Sequence, residues 1–153
     1  MTLSEKALEI ATKEIGNQEI PLGSNWGEHV KKYLHSVGID FPASWCMAFV
    51  YWCYSEAAKE MSIPSFPLFR SGGVLNTWNH TPPNHKVTAP IPGDIFIEDH
   101  GHGLGHTGIV ESIDGQFVNT IEGNTNTNGS REGVEVERKK RTISKMKGFI
   151  RVN

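Results

Sequence analysis

At 153 residues the chain has the length of one ordinary domain, enough to bury a real core. Its net charge of −2, from 15 basic and 17 acidic residues, argues against a nucleic-acid binder and gives no electrostatic hold on anionic membranes. No apolar run is long enough to span a bilayer, and Met1-Thr2-Leu3-Ser4-Glu5-Lys6 lacks the basic and then apolar stretch of a secretory signal.

The first helix is announced by Thr2-Leu3-Ser4-Glu5, a capping-box pattern, followed by Leu3, Ala7, Ile10 and Ala11 at helical spacing, with Gly16 as a stop. A second helix begins after Asn25, carries Glu28 in its first turn, presents Val30, Tyr33, Leu34 and Val37, and ends by Gly38. The third runs from about Trp45 to Met61, with an inward stripe of Cys46, Phe49, Val50, Cys53 and Ala57. A Pro- and Gly-rich connector over 62–92 holds one short helix near Gly73 to Trp78. The period then changes to two. Short strands are expected at Gly93–Ile97, His106–Ile113, Gln116–Ile121, Val134–Arg141 and Lys147–Val152. Asn124-Thr125-Asn126-Thr127-Asn128-Gly129 reads as a polar turn or rim. Helices first and strands second imply an α+β fold, a single domain over 1–153 with N-terminal helices packed on an antiparallel sheet of five to six strands.

Cys46 opens the third helix, where the positive end of the helix dipole and unpaired backbone N–H groups favour a thiolate. Cys53 is two turns further, about 10 Å along the axis, too far for the two to bridge; it reads as a small buried hydrophobe. Gly105-His106-Thr107-Gly108 supplies an imidazole at the start of a strand, and Ile121-Glu122-Gly123-Asn124 supplies a carboxylate and an amide. Thiol, base and orienting group are the parts of a cysteine hydrolase.

Whether they meet depends on the hairpin between the two strands. A two-residue Asp114-Gly115 loop pairs Ile113 with Gln116, sets His106 opposite Gly123 and turns Glu122 away. A three-residue loop with Gly115 left-handed pairs Ser112 with Gln116 and sets His106 opposite Glu122, with Asn124 one step further on the same face. The turn chemistry allows both. The expectation is the second, or an equivalent bulge, because only that builds a triad. His106 is then the base for Cys46, Glu122 fixes the ring and Asn124 adds a polar contact. The thiolate attacks an amide carbonyl, with the Cys46 N–H on the oxyanion, and water clears the thioester. Trp45, Trp78 and Trp26 are candidates to line the cleft.

Taken together, Asn25-Trp26-Gly27, Trp45-Cys46-Met47-Ala48-Phe49-Val50-Tyr51-Trp52, Pro92-Gly93-Asp94-Ile95, Gly105-His106-Thr107-Gly108-Ile109-Val110 and Glu122-Gly123-Asn124 resemble, in that order, the CHAP family of cysteine, histidine-dependent amidohydrolases/peptidases. The resemblance implies a papain-like fold, Cys46 as nucleophile, His106 as base and Glu122 with Asn124 as polar partners. It also implies an amide bond of peptidoglycan as substrate, cut as an N-acetylmuramoyl-L-alanine amidase or as a stem or cross-bridge endopeptidase. The protein would then be endolysin-like and bacteriolytic. Met47 stands where many relatives carry a small residue. No aspartate-rich calcium loop is present, so no cofactor is expected.

Rival readings exist. His100, His102 and His106 on a glycine-rich loop could hold zinc, though their spacing matches no metal motif, and the loop is better read as a hairpin tip bordering the cleft, with His100 and His102 facing substrate or merely exposed. An amidase for a soluble peptide conjugate and a non-catalytic wall-binding domain complete the alternatives. The basic run Arg138-Lys139-Lys140-Arg141, balanced by Glu132, Glu135 and Glu137, reads as a solvated strand face. The expected partners are peptidoglycan and a delivery or inhibitor protein, with no nucleic acid and no membrane span. The expected state is a monomer made in the cytoplasm without a signal peptide and acting at the cell wall or periplasm after delivery by another system.

Overall fold

The computed structural model describes residues 1–125 and 133–153; most of the polar loop expected after Asn124 lies outside them. Four α-helices precede the main strands: α1 (Leu3–Lys13), α2 (Glu28–Ser36), α3 (Cys46–Glu60) and α4 (Val74–Asn79). The strands are β1 (Lys86–Val87), β2 (Ile95–Gly101), β3 (Leu104–Asp114), β4 (Phe117–Thr125), β5 (Glu135–Thr142) and β6 (Gly148–Ile150). They form one antiparallel sheet in the order β1-β6-β2-β3-β4-β5. This is the expected α+β arrangement. Strand β1 was not expected: two residues between 3-10 and irregular backbone carry no readable period.

Each helix follows its local signals. The Thr2 hydroxyl accepts the Glu5 backbone N–H at 3.1 Å and also donates to the Glu5 carboxylate, capping α1. Gly16 and Gly38 take positive φ just beyond α1 and α2, as helix stops do. All five residues of the expected α3 stripe are buried, and so are Met47, Ala48, Tyr54 and Ala58, so α3 is enclosed nearly all round. Among the described residues no helix is long and apolar enough to cross a membrane.

Strand alternation divides the sheet. Ile95, Ile97, Ile109, Ile121 and Ile150 join the side chains of α1, α2 and α3 in the main core. The intervening Phe96, Val110, Val118 and Phe149 form a smaller cluster with Val87, Ile143 and Met146. Each isoleucine so buried contributes roughly 1.5–3 kcal/mol of transfer free energy.

The β3–β4 hairpin has neither simple register considered above. Asp114 pairs with Phe117, leaving Gly115-Gln116 as the loop, and Val110 pairs with Thr120 whereas Ser112 pairs with Asn119. Glu111 is therefore an extra residue, a β-bulge. It restores the alternation that brings His106 and Glu122 to one face, as the expected equivalent bulge would. The partner set directly across from His106 is on β2, Glu98.

Candidate active site

The segment before α3, Phe41-Pro42-Ala43-Ser44, is non-helical, and the proline keeps the helix from starting earlier. Trp45 is the N-cap, at φ −125°. Its backbone N–H donates to Asn124 Oδ1 at 2.8 Å, its indole N–H to Glu19 Oε2 at 2.8 Å, and its ring stacks on Tyr33. Glu19 is in turn held where the chain pairs with the start of β5, through Glu19 N–H to the Val134 carbonyl. Cys46, the first helical residue, thus sits on a start anchored from three sides, and its own N–H lacks an intrahelical acceptor. The side chain is 2% exposed.

His106 lies near the start of β3 and is fully buried. Its Nε2 is 2.8 Å from Glu122 Oε1, whereas Nδ1 is buried with no hydrogen-bond partner. Burial disfavours the imidazolium, but the Cys46 thiol and the Glu122 carboxylate outweigh it and lift the His106 pKa to about 9. Burial likewise opposes ionisation of Glu122, yet hydrogen bonds from His106 and Arg141 hold its pKa down to about 2. An ionised carboxylate only accepts, so Nε2 must carry the proton toward Glu122 and Nδ1 is left as the basic nitrogen. The two side chains meet on the diagonal rather than directly across the ribbon. Glu122 passes over Gly108, where a Cβ would lie 2.7 Å from Glu122 Cγ and 2.8 Å from the Phe96 ring. A glycine is needed there for the carboxylate to reach the imidazole.

A sequence model of the CHAP domain matches residues 38–124, more than half of the chain. The chain belongs to the CHAP family. Two solved structures share the fold. One, described as the crystal structure of Ly7917, superposes with a TM-score of 0.58 at 16% identity, covering 99% of this chain and 63% of that one. The other, Ly7917 with the hydrolyzing product of MDP, gives 0.50 at 15% identity, covering 97% and 62%. This CHAP chain thus spans less than two thirds of Ly7917. Comparison with curated proteins gave no match.

The remaining candidates of this CHAP domain are dispersed. Trp45 is wholly buried, so its ring packs in the core and offers no surface to a ligand. Trp78 is half-buried over Gly148, with Lys86 Nζ 4.3 Å from its ring centroid. Trp26 is half-buried, with its ring edge-on to His35. His102 is exposed at the β2–β3 turn, where it and Gly103 both take positive φ, as a type I′ hairpin requires. His100 turns to Glu98 at 2.9 Å, its ring stacked 6.4 Å from that of His106. Among the described residues no three His, Cys, Asp or Glu side chains converge on a point suited to a metal ion. Asn124 lies at the helix start, its oxygen on Trp45 and its amide on the Gly133 carbonyl, rather than on the imidazole.

The reading of Arg138-Lys139-Lys140-Arg141 as a solvated strand face holds for only two of its members. The run lies in a strand, so its members alternate: Arg138 and Lys140 are 56% and 52% exposed, Lys139 and Arg141 only 13%. Arg141 grips Glu122 through Nε on Oε2 and Nη2 on Oε1, the latter at 2.6 Å, and Thr120 Oγ1 donates to Oε2 at 2.6 Å. Arg141, Thr120 and Glu98 are parts of the site that sequence reasoning missed. The period-two split of the basic run was the one available signal.

Proposed function

We propose that this protein is a cysteine-dependent peptidoglycan hydrolase cutting an amide bond, with Cys46 as nucleophile, His106 as base and Glu122 as its orienting group. The observation that carries the reading is the buried imidazole with one nitrogen committed to an ionised carboxylate and the other unpaired, beside a thiol at a helix start. The peptidoglycan substrate rests on membership of the CHAP family and on the Ly7917 structure with the hydrolyzing product of MDP.

In this mechanism His106 Nδ1 carries the proton that Cys46 has given up, and the sulfur attacks the amide carbonyl carbon. Negative charge on the carbonyl oxygen is met by the Cys46 N–H at the positive end of α3. As the tetrahedral intermediate collapses, His106 returns the proton to the departing amine, leaving a thioester on Cys46. His106 then deprotonates a water that attacks the thioester, and the carboxylic acid leaves with the thiol restored. Glu122 keeps the ring in the tautomer these transfers need. Asn124 acts one step back, by fixing the backbone that presents Cys46. Action on such a substrate would take place in the cell wall or periplasm, reached with the help of a delivery partner.

Cys46→Ala should abolish the turbidity loss of purified cell walls while leaving the circular dichroism spectrum unchanged; undiminished lysis by that variant would overturn the covalent route. Wild-type lysis should persist in a chelator. Mass spectrometry of the released muropeptides then decides between amidase and endopeptidase.

A further inference from the structure

The reaction as proposed makes no use of β5, yet one β5 side chain is built into the site. Arg141 stands opposite Val118, and Glu122 opposite Glu137, so the arginine must extend along the ribbon to reach the carboxylate. It is held on that path from the far side. Its Nη1 lies 3.4 and 3.5 Å from the two Glu98 oxygens, and its guanidinium carbon is 5.4 Å from the Phe96 ring centroid. Glu98 is directly across from His106 on β2 and also receives His100.

Glu122 has no contact with solvent, and apart from the Thr120 hydroxyl on its own strand its carboxylate is held by side chains of the two flanking strands, His106 on β3 and Arg141 on β5. A carboxylate can turn about its last bond. A guanidinium fork bonded to both oxygens fixes the plane as well as the charge, which a point cation cannot do. We propose that Arg141, anchored by Glu98, is a positioning residue that sets the orientation of Glu122 against His106. This rests on the reading of His106 as the base. Arg141 touches neither substrate nor thiol in this scheme and acts through Glu122. The charged groups facing Glu122 are His106 from β3, Arg141, Lys139 and Glu137 from β5, and Glu98 from β2, with the Cys46 thiol beyond His106.

The test reads the His106 ring directly, by nitrogen-detected NMR titration of the whole chain, and reads wall hydrolysis in parallel. Arg141→Gln should displace the His106 midpoint from its wild-type value and reduce kcat on the order of a hundredfold with KM nearly unchanged, as for a slightly misplaced catalytic group. Arg141→Lys, which keeps the charge and loses the fork, should fall between and serves if the glutamine variant does not fold. In a Glu122→Gln background Arg141→Gln should add nothing to either readout. An unmoved midpoint in a folded variant, or an equal further loss without Glu122, would overturn the proposal. A wild type that lyses no walls but whose His106 midpoint responds as described would sink the proposed reaction and leave the positioning role standing.

Discussion

The two faces of the sheet obey different rules. On the helix side, Ile95, Ile97, Ile109, Ile121 and Ile150 alternate into a largely apolar core closed by α1, α2 and α3. On the other, the apolar cluster is small, and the strands continue past it into buried Glu98, His106 and Glu122 and half-buried Arg141, bonded to one another. The first face is non-directional, and any side chain of suitable volume serves. The second depends on the placement of single atoms, because a buried charge that loses its partner is strongly destabilising. Apolar packing thus comes chiefly from one side of these strands and the buried ionic network from the other.

That contrast can be broken most sharply at His106. His106→Ala should reduce wall hydrolysis about a thousandfold or more, since catalytic members act as a unit, measured as initial rate of turbidity loss. Ile95→Ala, one residue from the same sheet but facing the helices, should do the reverse. It should lower unfolding free energy by about 2–5 kcal/mol in denaturant titration while the folded fraction keeps its kcat. A subtler probe is pH. The His106 pKa is raised from 6.5 to about 9, so its contribution to stability is full below 6.5 and disappears as pH climbs through about 9. The Glu122 pKa is lowered from 4.5 to about 2, so its contribution is present above 4.5 and is lost as pH falls through about 2. The pair should therefore stabilise most between these ordinary values, and Glu122→Gln should flatten the melting temperature against pH. Activity should decline on the alkaline side as His106 loses the proton owed to the leaving amine. The smallest effect is expected at Cys53, whose thiol burial pushes well above its ordinary range. Cys53→Ala should cost about 1 kcal/mol, and iodoacetamide should leave Cys53 unlabelled in folded Cys46→Ala protein.

Much of this was legible from the chain. Capping at Thr2, stops at Gly16 and Gly38, the stripe of α3 and the alternation of β2 to β6 each follow from signals within a few residues. Cys46, His106 and Glu122 were legible as a set because their types complement one another. Arg141 was not, for it faces Val118 and reaches Glu122 only by running diagonally along the β4–β5 ribbon. Trp45, one of three aromatic candidates to line the cleft, has its indole in the core, fixed by Glu19 and Tyr33. Nothing near Glu19 in sequence announces a partner 26 residues away.

An antiparallel ribbon has a phase, in or out, and the β3–β4 ribbon stores its phase at Glu111. Removing that one residue would turn one strand over relative to the other beyond that point, sending Glu122 or His106 into the isoleucine layer. The Gly115-Gln116 tip has no such leverage, since strands already paired keep step whatever the length of the link between them. Length changes in this hairpin should therefore be tolerated at its end and ruinous along its side.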